Sequence, residues 1–123
     1  MILTTLIDAN NLKEKLNDPD WVVVDCRFSL TNPDFGPTAY RRGHIPKSRY
    51  AHLDKDLSSL VSGFTGRHPL PNIKQFSEKL GLWGITNKTQ VVAYDDVGGA
   101  FAARLWWLLR WLGHDSVAVL DGG

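Results

Sequence analysis

Three short apolar segments constrain the fold of this chain more than any other feature. Trp21–Asp25, residues 89–94 and residues 116–120 are nearly continuous runs of apolar and β-branched residues. Such runs are typical of parallel strands that are covered on both faces, whereas strands with one wet face alternate with polar residues. Residues 48–52 predict a weaker fourth strand, and residues 4–7 predict a short edge strand.

Helical patterns lie between these strands. Residues 9–16, 73–83 and 98–112 carry apolar side chains at spacings of three and four. The last of these segments is apolar almost all round, so we expect it to be buried on most sides. Residues 28–46 and 55–71 are richer in polar residues, Gly and Pro, and are expected to form loops or short turns. The alternation of strands and helices predicts an α/β fold with a parallel sheet.

Length and charge exclude several classes of protein. The chain has 123 residues, the size of one domain, and 14 Lys and Arg against 13 Asp and Glu, a net charge of +1. It therefore lacks the basic character of a nucleic-acid-binding protein. No apolar run approaches the length of about 20 residues that a membrane span needs, and no export signal is visible, so we expect a cytoplasmic protein. Because the strand at 116–120 runs into the chain end, we expect a longer parent protein.

The single cysteine, Cys26, excludes an internal disulfide and a multi-cysteine zinc site. If this chain were a cysteine enzyme by itself, Cys26 would have to be the nucleophile. It follows the strand Trp21–Asp25, and the neighbouring Arg27 is able to lower a thiol pKa. No glycine turn or helix start follows it, however, so no cradle of N–H groups for a thiolate is predicted. This favours a buried, inert thiol.

A turn with two carboxylates follows the strand at 89–94. Asp95 and Asp96 precede Val97-Gly98-Gly99, and a helix comes next. A strand, a glycine turn and a helix N-terminus together form a site for an anion. The side chain of Asp95 can itself accept the N–H groups of the loop, and this interpretation is favoured over a catalytic carboxylate. The Asp-x-Asp pattern of aspartyl phosphatases and the Gly-x-Gly-x-x-Gly fingerprint of dinucleotide sites are not matched.

Two further loops carry histidines. Residues 66–71, Gly-Arg-His-Pro-Leu-Pro, are expected to display Arg67 and His68, a cation and an imidazole that can hold an anionic substrate. A surface loop with solvated charges is the alternative. In residues 41–46, Arg-Arg-Gly-His-Ile-Pro, we expect His44 to make a structural hydrogen bond.

The longest predicted helix carries three tryptophans. Two of them are four residues apart and therefore share a face. The three residues are Trp106, Trp107 and Trp111. Three indoles on one helix either fill the core or face another domain.

Together, these motifs resemble a rhodanese-like domain. They are Asp25-Cys26-Arg27, Gly43-His44-Ile45-Pro46, the strand, loop and helix that follow residue 91, and the terminal Val-Leu-Asp-Gly-Gly. The helix sequence Phe-Ala-Ala-Arg-Leu-Trp-Trp-Leu-Leu-Arg at 101–110 narrows the resemblance to the N-terminal half of two-domain thiosulfate or 3-mercaptopyruvate sulfurtransferases. Cys26 departs from the commoner Asp-Ala-Arg pattern of this family.

The resemblance implies a central parallel five-stranded sheet flanked by helices on both faces. Residues 1–123 would form a single rhodanese-like domain, the N-terminal and catalytically silent repeat. In the C-terminal repeat of such proteins, which is absent here, a loop cysteine takes sulfane sulfur as a persulfide and passes it to a thiophilic acceptor. Asp95 stands at the corresponding position of this chain, so the resemblance assigns it no catalytic residue. Any sulfur-transfer cysteine would lie beyond residue 123.

Other residues carry over by motif. His68 matches a family histidine, in a His-x-x-Pro loop, that reaches the cleft between the two halves, and Arg67 is its companion. These two residues are therefore expected to bind substrate. Asp25, Arg27 and His44 are expected to be structural.

The expected function is that of the non-catalytic half of a sulfurtransferase, which builds one wall of the cleft. Its expected partners are the catalytic repeat and a small sulfur donor, with no cofactor, metal ion, nucleic acid or membrane. The alternative is a free-standing binding or regulatory module with the same fold. A phosphatase of this fold would need a cysteine in the Asp95 loop. The sequence beyond Gly123 distinguishes the first two hypotheses, whereas the sulfur donor, its acceptor and the oligomeric state are not predicted.

Overall fold

A computed structural model describes residues 3–32, 34–58 and 70–121 of the chain. Five strands form one sheet in the order β1-β5-β4-β2-β3, and every neighbouring pair is parallel. In chain order the elements are β1 Leu6–Ile7, α1 Ala9–Lys15, β2 Trp21–Asp25, α2 Phe35–Arg42, β3 Arg49–Tyr50, α3 Ile73–Leu82, β4 Gln90–Tyr94, α4 Ala102–Trp111 and β5 Val117–Leu120.

The predicted parallel sheet is confirmed. The three long apolar runs are its central strands, and the two weaker runs are its short edge strands β1 and β3. In the centre, Val23 of β2 lies opposite Val92 of β4, and Val92 lies opposite Ala118 of β5. Edge strands pair on one side only, so their pairing ends after a few residues.

Alternate strand residues build two apolar cores on opposite faces of the sheet. The larger core joins Val24 and Val91 to side chains of α3 and α4, among them Phe76, Leu80, Leu105 and Leu108. The smaller core joins Val23 and Val92 to Leu12 of α1. Helices therefore cover both faces, as the fold class predicts. None of the helices in these ranges is long and apolar enough to cross a lipid bilayer.

The expectation that residues 28–46 form only loops and turns is wrong, because Phe35–Arg42 is a helix. Its sequence, Phe-Gly-Pro-Thr-Ala-Tyr-Arg-Arg, opens with a Gly-Pro pair that is typical of turns. Pro37 is tolerated because the first four N–H groups of a helix have no partner within the helix. Tertiary contact selects the helix: Gly36 is buried against Tyr50, whose hydroxyl donates to the Arg27 carbonyl at 2.8 Å.

Helix α4 begins later than predicted. Residues 98–112 were expected to be helical throughout, but α4 spans Ala102–Trp111. Gly98 and Gly99 have φ values of +76° and +94°, in the left-handed region that a right-handed helix excludes.

Helix α4 was expected to be buried on most sides, but its outer face is exposed. Trp107 and Trp111 are 47% and 40% exposed. They do share a face, as predicted, and their rings stack with centroids 5.9 Å apart. Trp106 is partly buried against the larger core and donates its indole N–H to the Thr4 carbonyl at 2.8 Å.

We expect Gly36→Ala to destabilise the fold by about 1–3 kcal/mol, the usual cost of overpacking. A methyl group at this position would overlap the Tyr50 hydroxyl and the Arg27 carbonyl oxygen. The change is measured by urea unfolding. The matched control is Gly81→Ala in α3, where an added methyl meets nothing within 4 Å, so stability should hold or rise. Equal effects of the two substitutions would contradict the packing explanation.

Candidate functional site

The candidate site lies at the carboxyl ends of the parallel strands. Strands β2 and β4 are neighbours, so the residues that follow them meet at this edge. The Cys26 N–H donates to the Tyr94 carbonyl at 2.7 Å, which extends the pairing by one step. Ligands of open α/β sheets bind at this edge.

The side chain of Asp95 fills the loop that follows β4. Its Oδ1 accepts the N–H groups of Val97 and Gly99 at 3.0 and 2.8 Å, and its Oδ2 accepts those of Phe101 and Ala102, both at 2.8 Å. Asp95 is 1% exposed. We call these four donors the β4 cradle. Hydrogen bonds to a charged acceptor are stronger than neutral ones, and the N-terminus of α4 adds favourable potential. The predicted occupation of the loop by its own carboxylate is confirmed.

A second carboxylate, Asp25 at the end of β2, is fully buried. The Arg27 Nη2 donates to its Oδ2 at 2.6 Å, and the Arg27 backbone N–H donates to its Oδ1 at 2.9 Å. The Tyr94 hydroxyl adds a bond to Oδ2 at 3.0 Å. The hydrogen bonds that Arg27 donates to Asp25 raise the pKa of the Arg27 side chain.

The same group of residues connects the Gly43-His44-Ile45-Pro46 turn to the sheet edge. The Arg27 Nη2 donates to the Gly43 carbonyl at 2.7 Å, and the Ile45 N–H donates to the Tyr94 hydroxyl at 3.2 Å. His44 places its Nδ1 2.7 Å from the Tyr40 carbonyl, and its ring stacks on that of Tyr40 at 3.8 Å.

Cys26 directly follows Asp25 and is 2% exposed. Burial raises the pKa of its thiol well above the usual value, and the charges of Asp25, Asp95 and Asp56 raise it further. Arg27, considered above as a group able to lower this pKa, binds Asp25 instead. A thiol in these surroundings stays protonated and unreactive at neutral pH.

Arg67 and His68 lie outside the described residues, so their predicted substrate-binding role stays a prediction. Arg104, which sequence reasoning did not single out, contacts Leu57 and Ser58, the last described residues before the segment 59–69. Its Nε and Nη2 donate to the Leu57 carbonyl at 3.2 and 3.0 Å, and Nη2 lies 3.4 Å from the Ser58 hydroxyl. Burial lowers the pKa of the Arg104 side chain. Its sequence signal is an arginine among the apolar residues of the first turns of the helix.

His52, at the start of the turn after β3, was also not singled out from the sequence. His52 is 5% exposed, and its Nδ1 accepts the N–H groups of Asp54 and Lys55 at 3.1 and 3.3 Å. The backbone N–H of His52 donates to the Asp56 carboxylate, which forms an ion pair with Lys79 of α3. Throughout ranges 3–32, 34–58 and 70–121, no group of three or more His, Cys, Asp or Glu residues is placed to hold a metal ion.

The chain is thus an α/β domain with a parallel sheet. Backbone N–H groups between β4 and α4 form an anion-binding loop at the carboxyl ends of its strands. Residues 8–123 match the family model of the rhodanese-like domain. The chain belongs to this family.

Similar proteins support the assignment. The "Probable 3-mercaptopyruvate sulfurtransferase" of Pseudomonas aeruginosa is 51% identical over 120 residues, which are 96% of this chain and 42% of that protein. The "Thiosulfate/3-mercaptopyruvate sulfurtransferase 1, mitochondrial" of Arabidopsis thaliana is 34% identical over 119 residues, 96% of this chain and 31% of that protein. The solved 3-mercaptopyruvate sulfurtransferase from Leishmania major superposes with a TM-score of 0.88 at 35% identity, over 98% of this chain and 33% of that one. The chain thus spans less than half the length of the relatives it matches.

We expect Asp95→Asn to destabilise the fold by about 2 kcal/mol or more, because an amide group would present its NH₂ to two of the four donors. Urea unfolding measures the change. Asp96→Asn is the matched control, since Asp96 is the exposed neighbour and its loss should cost no more than about 0.5 kcal/mol. Similar losses for both variants would show that the cradle does not depend on this carboxylate.

The environment of Cys26 predicts a pH dependence of stability. Because the folded thiol has the higher pKa, the unfolded chain loses its proton first as the pH rises. The free energy of unfolding should therefore fall above the unfolded thiol pKa of about 8.5, by up to about 1.4 kcal/mol per pH unit. Urea titrations between about pH 7.5 and pH 9.5 measure this slope, and Cys26→Ala should flatten it. An equally steep slope in Cys26→Ala would assign the titration to another group.

Proposed function

We propose that this domain is the non-catalytic half of a sulfurtransferase that takes sulfane sulfur from thiosulfate or 3-mercaptopyruvate. It builds one wall of a cleft, and a second rhodanese-like domain of the same protein supplies the persulfide-forming cysteine. One observation carries the proposal: the carboxylate of Asp95 occupies all four N–H groups of the β4 cradle.

The chemistry of sulfur transfer explains why this observation supports a non-catalytic role. A thiolate attacks the sulfur atom to be transferred and keeps it as a persulfide. The sulfur–sulfur bond of thiosulfate breaks with release of sulfite, or the carbon–sulfur bond of 3-mercaptopyruvate breaks with release of the pyruvate enolate, which takes up a proton. The backbone N–H groups of the loop stabilise the anionic sulfur. A carboxylate has no sulfur to accept another, and Asp95 is too buried to meet a donor. Cys26, the one thiol of the chain, is buried and protonated.

The lengths of the relatives support a second domain. More than half of the Pseudomonas aeruginosa protein lies outside its match to this chain, which leaves room for another domain of the same size. In this arrangement Arg67 and His68 reach into the cleft and bind the anionic donor. Arg104 holds the Leu57 carbonyl and so fixes the start of the segment that leads to them.

The test measures sulfur uptake and turnover of purified residues 1–123. With thiosulfate and cyanide, the chain should form thiocyanate no faster than the uncatalysed reaction, and mass spectrometry should find no added sulfur. Asp95→Cys should gain one cyanide-removable sulfur atom, because the cradle then holds a thiolate that can form a persulfide. Asp96→Cys is the matched control outside the cradle and should gain none.

Two outcomes would contradict the proposal. One is thiocyanate formation by the unchanged chain at the rate of a complete sulfurtransferase, abolished by Cys26→Ser. The other is a gene that ends after Gly123 without encoding a second rhodanese-like domain, which would favour a free-standing binding module.

A further inference from the structure

The outer side of helix α4 carries a row of side chains that the domain leaves uncovered. Trp107 and Trp111 are exposed, and their rings lie nearly parallel, with an angle of 13° between the ring planes. Ala103 and Arg110 are exposed on the same side of the helix, because residues four, seven and eight positions apart share a face. We call these four residues the α4 face. Trp and Arg are the residue types most enriched in the binding centres of protein interfaces.

The α4 face offers hydrogen-bond donors as well as apolar area. The Arg110 guanidinium lies 4.9 Å from the centre of the Trp106 ring, in a cation–π contact. Within ranges 3–32, 34–58 and 70–121, Arg110 forms no ion pair, and the indole N–H groups of Trp107 and Trp111 find no acceptor. The complementary surface is therefore apolar and carries a carboxylate for the arginine and oxygen acceptors for the indoles.

Chain that continues from β5 emerges beside α4. Strands β4 and β5 are parallel, so β5 ends at the edge of the sheet where the β4 cradle leads into α4. The end of β5 also contacts that turn, since a Cβ placed on Gly99 would lie 3.4 Å from Cγ1 of Val119. From Ala102, the first residue of α4, Trp107 and Trp111 lie about 8 and 14 Å further along the helix axis. The α4 face is thus within reach of a domain that follows β5.

The occupant is inferred from chain length and charge. More than half of the Pseudomonas aeruginosa relative lies outside its match to this chain. A second copy of the same chain is a poorer occupant, because a two-fold contact brings each face against itself. Two Arg110 side chains would then meet on one small surface without a carboxylate between them, and like charges at an interface are unfavourable.

We propose that the α4 face docks the second rhodanese-like domain of the parent protein, so that Trp107 and Trp111 are buried in the complete protein. The docking surface rests on the proposed function, and it adds which side of this domain the second domain covers. Contact between the domains then extends from the strand ends, where the cleft lies, along the outer side of α4.

Hydroxyl-radical footprinting with mass spectrometry tests the burial residue by residue. The samples are the complete protein encoded by the gene and purified residues 1–123. Oxidation of Trp107 and Trp111 should be several-fold slower in the complete protein, because contact with the second domain excludes water from the rings. Leu82 of α3, which is 80% exposed, is the internal reference and should react alike in both samples. Equal oxidation of the tryptophans in both samples, or equal slowing at Leu82, would overturn the docking surface.

A variant of the complete protein tests whether the α4 face holds the domains together. Trp107→Gln with Trp111→Gln should make trypsin cut the connection between the domains several-fold faster. The matched control replaces two exposed apolar residues of α3, Ile73→Gln with Leu82→Gln, and should be cut at the unchanged rate. Circular dichroism of residues 1–123 with the same substitutions checks that each variant folds. Equal cleavage of the two double variants would contradict the proposal.

The remaining outcomes separate this proposal from the proposed function. Self-association of unchanged residues 1–123 that Trp107→Gln with Trp111→Gln abolishes would assign the α4 face to a second copy and overturn the proposal. A gene that ends after Gly123 would contradict the proposed function itself. A complete two-domain protein whose tryptophans oxidise freely would contradict the docking surface alone. Footprinting uses unchanged chains, so it decides between these outcomes even where a variant is unstable.

Discussion

The four hydrogen bonds to the Asp95 carboxylate are the constraint on which the candidate site depends. A buried, unpaired carboxylate would cost several kcal/mol, and no cation reaches Asp95 among the described contacts. The loop must therefore bring backbone donors to it from both the turn and the first residues of α4. That requirement explains the left-handed Gly98 and Gly99, because only such a turn directs these N–H groups inward. The late start of α4 has the same cause.

The Asp25 carboxylate is also buried, but side chains rather than a loop of backbone donors compensate most of its burial. Arg27 and the Tyr94 hydroxyl surround Asp25, and the Gly43 carbonyl completes the set of acceptors around Arg27. Burial raises the pKa of the Cys26 thiol, and the charges of these two carboxylates raise it further. The interactions that stabilise this edge of the sheet thus also make the one cysteine of the chain unreactive.

Most of the fold could be predicted from the sequence, because continuous apolar strands and helical periodicity are local signals. The occupation of the β4 cradle was predictable for the same reason, since Asp95 and its donors lie within eight consecutive residues. Helix α2 was not predictable, because a Gly-Pro pair is typical of a turn and the sequence does not show that Tyr50 packs against Gly36. The hydrogen bond between Tyr94 and Asp25 joins residues 69 positions apart, and the bonds from Arg104 to Leu57 join residues 47 apart. Such contacts follow from strand register and helix docking, which sequence pattern alone does not specify.

The β4 cradle also limits which side chains can stand at position 95. Its donors are backbone N–H groups, so an anionic side chain that fits the loop at position 95 can accept from them. They require an anion, and a carboxylate meets that requirement as well as a thiolate or persulfide does. A neutral residue would leave converging donors without an acceptor in a buried loop. The substitutions tolerated at this position are therefore those that keep the charge. An aspartate at this position satisfies the donors and preserves the loop, but it offers no sulfur atom that could accept another.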